Sequence, residues 1–458
     1  MRRWTREQIA RAAGALVLGE APAPDAGPER VTIDSRDVDA GALFVGLPGT
    51  NTHGGVHAGS ALANGAWGVL TSPEHAQTAR EHHPRATVLA AEDPLQALQR
   101  LATAWRRELG AKVVGVTGST GKTTTKDLLQ ALVAPHRATI ASRANFNTEI
   151  GLPLEILAAP ETTEVLILEM AMRGAGQIAE LARIAEPDVG VIVSIGPVHL
   201  ELLGTIEAIA AAKCELLAAL PAGGTAVVPS GESLLEPYLG QARAGGRVRV
   251  VSFGPGGDVK LVEEDERHVT IDLAGEPVRL EVAFSQAHLR GNLLAAVAAA
   301  SAVGVTPHGQ LEFVPSRGRG RQETLPGGVT LIDDCYNANP MSMRAALDDL
   351  AATASRGATR RRVAVLGDML ELGPEAPEFH AEIGAHADHT ADLLVTVGPL
   401  AAHMADRYGG EHHHAADAAE AAQIAQALVR PGDVVLVKAS RGVALERVCD
   451  ALAGQAVA

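Results

Sequence analysis

Cysteine is scarce in this 458-residue chain. The three present, Cys214, Cys335 and Cys449, are odd in number and far apart in sequence. That spacing argues against a disulfide framework and against a C-x-x-C metal site. Positive charge is also short. There are 39 Lys and Arg against 54 Asp and Glu, a formal net charge of −15, and a pI near 5.6. Nucleic-acid partners want a basic surface, so they are not expected. No run of 18 apolar residues occurs, so no membrane insertion is expected. The first residues, MRRWTREQIARAAG, are charged and amphipathic and lack the apolar core of a secretion signal, which leads us to expect a cytoplasmic protein. There is no repeat of fixed period, and no N-K-x-D motif of the kind that reads guanine. The length exceeds what one core supports, so two to four domains are expected.

What is present centres on Val113 to Leu129, VVGVTGSTGKTTTKDLL. Val113, Val114 and Val116 suit a buried parallel strand. Gly118, Ser119, Thr120 and Gly121 then form a loop that turns tightly, and Lys122, Thr123 and Thr124 open a helix. Backbone N–H groups, a cation and hydroxyls at a helix N-terminus make a phosphate cradle. The match is G-x-x-G-K-T, with Val116 where the longer pattern has glycine. An ordinary glycine-rich turn is the alternative, and the Lys-Thr that follows directly argues for a bound nucleoside triphosphate.

Around this loop the chain reads as α/β throughout, in three parts. Residues 1–109 resemble a small α/β domain: Thr5 and Gln8 fit a capping box, and the charged helix from Pro94 to Leu109 marks its end. Residues 110–315 alternate apolar runs (VLILE, VGVIVSI, TAVVP) with helical stretches, the pattern of a parallel sheet. There RVRVVSFG and HVTIDLAG suggest an antiparallel edge or small added sheet, and Asn292 introduces an Ala-rich buried helix. After a basic connector, residues 316–458 (VTLIDD, RVAVLG, DLLVTVG, VVLVKAS) form a second doubly wound, Rossmann-like unit. His412 to His414 read as surface, with metal binding a minor alternative.

Ligands of parallel sheets gather at the carboxyl ends of strands. Glu169 ends VLILE and is either a magnesium ligand or a helix cap. His199 follows VGVIVSIGPV and alone reads as a partial-core residue. Lys213, among alanines, would ordinarily snorkel to water. Arg319 and Arg321, in the connector, either neutralise phosphoryl charge or are solvated. Asp333 and Asp334 follow. Ser35 and Arg36, just past the first strand, either hold a phosphate or pair on the surface.

Five further stretches carry a resemblance: NFNTEIGLP at 145–153, DDCYNANPMSM at 333–343, LGDMLELG at 366–373, LVKASRG at 436–442, and IDSRDVDAGALFVGLPG near the N-terminus. With GSTGKTTTK at 118–126 they make the chain similar to the Mur ligases over nearly its whole length. The resemblance implies an ATP-dependent, amide-forming enzyme of peptidoglycan precursor synthesis, and within the family the branch that adds a dipeptide. Its substrates would be UDP-N-acetylmuramoyl-tripeptide and D-alanyl-D-alanine, joined through an acyl phosphate, and its cofactors ATP and Mg2+. It implies Gly118–Thr124 around the phosphates, Lys122 on the β- and γ-phosphates, and Thr123, Glu169, His199 and a carbamylated Lys213 at the magnesium sites. Asn292 would lie near adenine, and Arg321 and Asp334 would close onto the nucleotide. Ser35 and Arg36 would touch UDP; Asn147 and Thr148 would serve the substrate, and Asn337 and Asn339, with Lys438, Ser440 and Arg441, the dipeptide side. A monomer is expected. The chain departs from the family in carrying His288-Leu289 before Asn292 and THGGVH at 52–57. It has no D-N-P-R near residues 395–401, which favours the dipeptide adder over a sibling that adds the third amino acid. That sibling and a nucleotide-dependent binding protein stay open as alternatives.

Overall fold

The computed structural model describes residues 1, 3–18, 26–143, 145–265, 267–356 and 360–454. Their strands form three sheets. The first runs Leu16–Val17, Thr87–Ala90, Gly68–Thr71, Ala42–Val45, Arg30–Thr32, parallel except for its first, antiparallel edge. The second has ten strands. Its parallel part orders Val248–Phe253, Gly224–Pro229, Val189–Ile192, Lys112–Thr117, Val165–Glu169 and Thr139–Ala141. The third orders Arg321–Leu325, Val329–Asp333, Val434–Lys438, Arg362–Gly367, Leu393–Val397 and Glu411–Ala415, parallel except for the first.

These strands form where the sequence is continuously apolar, because helices cover both faces of the sheet. All five residues of Val165–Glu169 are buried, as are all of Val189–Ile192. The capping box at Thr5 forms as its residue types dictate. Gln8 N donates to Thr5 Oγ1 and Thr5 N to Gln8 Oε1, opening helix Arg6–Ala13.

Two expectations need correction. Val248–Phe253 is not an antiparallel edge: it pairs in parallel with all six residues of Gly224–Pro229. Its buried Val248, Val251 and Phe253 alternate with exposed Arg249 and half-buried Val250 and Ser252, Val248 joining one apolar cluster and Val251 and Phe253 another. Only His268–Leu273 lies in the antiparallel extension, and that extension continues the same sheet. Asn292 does not introduce a helix. It lies inside helix Ala287–Ala302, which starts after Gln286.

Helix Pro94–Leu109 is also more than a connection. Its buried face, Leu98, Leu101 and Trp105, joins one core with Ile9, Leu43 and Leu89 on one side and Leu152, Ile156 and Ile184 on the other. Trp105 is nearly fully buried, its ring meets Trp4 edge-on, and its Nε1 donates to Ala159 O at 3.1 Å. Each such side chain contributes about 1.5–3 kcal/mol when fully buried. The first sheet is therefore welded to the second, whereas the third packs a separate core built on Leu347, Ile383 and Leu436.

In the second sheet, strands Lys112–Thr117, Val165–Glu169 and Val189–Ile192 run parallel, so the segments that follow them emerge along one edge. In the third, Asp333 lies in register with Val437, which puts Asp334 and Lys438 at the corresponding edge. The two edges face each other across a cavity of about 880 Å³.

Candidate active site

The phosphate-type loop forms the floor. Gly121 caps helix Lys122–Val133 with φ of 79°, a left-handed value that glycine adopts without strain. A Cβ there would lie 2.4 Å from Asn292 Oδ1, so the missing side chain also admits Asn292 against the loop. The loop is braced from the next strand end: Ser119 N donates to Ser194 O, and Thr120 N to Ser194 Oγ, both at 2.9 Å. Lys122 Nζ donates to Gly118 O at 2.8 Å. Burial holds this ammonium below the usual lysine range, opposed by Glu169 and reinforced by Arg319.

Glu169 is the acid beside it. It is buried, accepts from Thr123 Oγ1 at 2.6 Å on Oε2 and from Asn147 Nδ2 at 2.8 Å on Oε1. It caps no helix. With His199 on the same lining, the wall offers a hydroxyl, a carboxylate and an imidazole, donors suited to a hard divalent cation. Lys213 stands just behind, on helix Ile206–Ala218, and does not snorkel: it is 2 % exposed. No acid among the described residues pairs with it. Burial, with Lys122 nearby, pushes its pKa well below the lysine range.

The opposite wall comes from the third sheet. Lys438 Nζ donates to Asp334 Oδ2 at 2.6 Å and to Asn337 O at 2.9 Å. Asn339 lines the cavity while capping helix Pro340–Ala354: its Oδ1 accepts from Ser342 N at 2.9 Å, and Ser342 Oγ accepts from its N at 3.0 Å. Arg319 lies over the Tyr336 ring, 4.0 Å from its centroid. Met341 reaches across to the first wall, where a Cβ on Gly196 would come within 1.8 Å of its sulfur.

The structure thus brings Ser119, Thr120, Gly121, Lys122, Thr123, Thr124, Asn147, Thr148, Glu169, His199, Asn292, Asp334, Asn337 and Asn339 to one cavity. Arg321 is not among its lining. It is exposed on edge strand Arg321–Leu325, and Arg319 takes the inward place because its guanidinium can stack on Tyr336. Ser35 and Arg36 lie apart, in a single turn of the first unit, where Arg36 pairs with Asp34 at 2.8 Å. Ser440 supports from behind, accepting from Leu370 N at 2.9 Å. Sequence reasoning passed over Tyr336 as a partner for Arg319 and noted His288 only as a departure from the family pattern; His288, whose burial lowers its pKa, and Tyr336 both line the cavity. The Y-N-A-N stretch held the signal for Tyr336; His288 was noted beside Asn292, but its third-domain neighbours Asp334 and Lys438 were not foreseen. The three cysteines are free, as expected from their spacing. Cys335 and Cys449 are buried and free, but with Asp333 they offer ligand atoms within 4.8 Å of one another, because strand and helix fold together residues remote in sequence.

A phosphate loop, a hard-donor set and a closing second sheet define a nucleotide-dependent enzyme assembled from three units. Family comparisons agree. Residues 116–300 match the Mur ligase middle domain, 320–441 the Mur ligase glutamate ligase domain, and 29–106 the Mur ligase family catalytic domain. The chain belongs to the Mur ligase family. It is 37 % identical to the UDP-N-acetylmuramoyl-tripeptide–D-alanyl-D-alanine ligase of Mycobacterium tuberculosis H37Rv, over 98 % of this chain and 97 % of that one. It is 34 % identical to the ligase of the same name from Bacillus subtilis, over 91 % and 92 %. Among solved structures it resembles MurF from Acinetobacter baumannii, with a TM-score of 0.86, 26 % identity and 98 % and 99 % coverage. It also resembles MurF ligase from Thermotoga maritima in complex with ADP, with a TM-score of 0.80, 29 % identity and 93 % and 97 % coverage.

Proposed function

We propose that this protein joins D-alanyl-D-alanine to UDP-N-acetylmuramoyl-tripeptide, using ATP. The observation that carries the reading is end-to-end similarity to ligases of that name, in a chain whose cavity faces a phosphate loop with a second domain. A carboxylate is a poor electrophile. Transfer of the γ-phosphoryl group to the tripeptide carboxylate gives an acyl phosphate and ADP. The dipeptide amine attacks the carbonyl carbon, and the tetrahedral intermediate expels inorganic phosphate. Little covalent chemistry falls to the protein, so its work is positioning and charge neutralisation.

We assign residues 1–109 to the UDP portion through Ser35 and Arg36, 110–315 to ATP, and 316–458 to the dipeptide. Gly118 to Thr124 present backbone N–H groups to the phosphates, and Lys122 faces the β- and γ-phosphates. Asn292, seated on Gly121, borders the nucleotide. Thr123, Glu169 and His199 are the residues that would hold Mg2+, which when bound neutralises phosphoryl charge. Lys213 belongs to the same set as a carbamate. An unprotonated lysine amine adds to CO2 with loss of a proton, and the resulting anion would turn its repulsion from Lys122 into attraction. Asn147 and Thr148 serve the tripeptide; Asn337 and Asn339 serve the dipeptide. Asp334 holds Lys438 against the cavity, Arg319 adds positive charge opposite the loop, and Arg321 serves as a rim charge. We expect a monomer working in the cytoplasm, where its nucleotide substrates are made; no helix of the described residues is long and apolar enough to cross a membrane.

The test is phosphate release from Mg-ATP with UDP-muramoyl-tripeptide and D-alanyl-D-alanine each present or absent. Release only with both, and a product heavier by the dipeptide, is expected. Release with a single amino acid and a UDP-muramoyl-dipeptide would move the protein to the sibling that adds the third residue. Release independent of any amine would make it a nucleotide-driven binding protein.

A further inference from the structure

We infer that Glu371, delivered by the third domain, is a positioning residue that sets the orientation and tautomer of His199 in the metal-binding wall. The inference rests on reading His199 as a member of that wall. His199 Nδ1 is hydrogen-bonded to Glu371 Oε2 across the domain boundary. A carboxylate there accepts the Nδ1 proton and leaves the Nε2 lone pair free to face a cation, the arrangement by which outer carboxylates orient metal-ligating histidines.

The backbone on both sides is shaped for this meeting. His199 has φ of 54° and Glu371 φ of 63°, left-handed values that side-chain-bearing residues adopt only when their surroundings impose them. Glu201 N donates to Glu371 O at 3.3 Å, so main chain as well as side chain joins the two domains. Arg173 Nε lies 3.8 Å from Glu371 Oε1 and holds the second oxygen's side of the carboxylate.

Glu371 also sits on a braced loop. Asp368 O accepts from Ser440 N at 3.0 Å, Leu370 N donates to Ser440 Oγ at 2.9 Å, and Met369 N donates to His380 Nε2 at 2.9 Å. Leu372 is buried just beyond. The loop is therefore a stiff finger whose position follows the third domain. The imidazole of the metal-binding wall is thus oriented by a carboxylate that the third domain supplies.

The experiment is titration calorimetry of a non-hydrolysable ATP analogue at graded Mg2+, on the full chain and on Glu371→Ala, Glu371→Gln, His199→Ala and the Glu371→Ala/His199→Ala double variant. Each variant's thermal melt is compared with the parent to register folding. Removing an outer-shell partner typically costs about 10–100-fold in metal affinity. Glu371→Ala is expected to raise the Mg2+ needed for half-maximal analogue binding about tenfold, with a smaller rise for Glu371→Gln, which keeps an acceptor. In the His199→Ala background the Glu371 change is expected to add nothing. Multiplying effects in the double variant, or an unchanged Mg2+ requirement in Glu371→Ala, overturns the inference while leaving the ligase reading standing. Analogue binding by the parent that ignores Mg2+ overturns the reading of His199 as a metal-wall residue, and the inference with it.

Discussion

The two walls of the cavity are built differently. The first is local: Gly118 to Thr124 is one contiguous loop, and its supports, Glu169 and Ser194, come from the two strands flanking its own. The second is composite: Arg319, Asp334 and Asn339, and Lys438 come from three places in the chain and meet only through the register of the third sheet. A phosphate site needs backbone N–H groups in sequence order, so it can be written as a motif. A closing wall needs only charge at the right height, so many arrangements serve and none is written locally.

The comparison can be broken most severely at the first wall. Lys213→Ala should lower kcat by about 10³-fold, the scale of one preorganised electrostatic group, if Lys213 carries the carbamate proposed above. Added short-chain carboxylic acids should restore part of it, read as phosphate release. Normal turnover without them would remove Lys213 from the chemistry.

The seam between the walls comes next. Gly196→Ala drives a methyl into the Met341 sulfur and should cost about 10²-fold in kcat/KM by displacing one wall from the other. Shortening the partner as Met341→Ala should recover much of the loss. A double variant no better than Gly196→Ala would mean that the seam is not what the glycine serves.

Behind the second wall, Asp349 is buried against Gln322 and Thr353, and burial raises its pKa to about 6. An unfolded chain releases this proton near pH 4. Between about pH 4 and 6 the folded chain keeps a proton that the unfolded chain has lost, so this group's contribution is fully present below that window and falls as pH rises through it. Asp349→Asn should flatten that slope and stabilise the protein at pH 7 by on the order of 1–3 kcal/mol, read by urea unfolding at each pH. An unchanged slope would assign it elsewhere.

The smallest effect separates two neighbours. Arg319→Ala should weaken nucleotide binding about tenfold, losing a cation held on Tyr336, whereas Arg321→Ala should change it by less than about threefold. The reverse order would show that edge strand Arg321–Leu325 turns its other face to the nucleotide in the working complex.

Legibility follows the same division. The strand–loop–helix at Val113 to Leu129 was readable because apolar runs, glycine placement and Lys-Thr all act within a few residues. Glu169 was readable as a candidate, but its competing role as a cap was dismissed only when Thr123 and Asn147 were found on its two oxygens. Lys213 looked like a snorkelling lysine until the helix was seen to bury it. Asn292 was misplaced because an Ala-rich helix has no strong start, and here it begins earlier, after Gln286. Val248–Phe253 alternates in burial although it pairs in parallel, so alternation alone did not give the direction of its neighbour.

By itself, then, the sequence determined the α/β class, the three-part layout of sheets and the phosphate loop, since these depend on periodicity and on neighbours in the chain. Tertiary structure decided which arginine faces the cavity, that Cys335 and Cys449 meet beside Asp333, and that Glu371 reaches His199. Each of those pairs residues remote in sequence, and the distance between them is set by sheet register and domain seating, which no local pattern encodes.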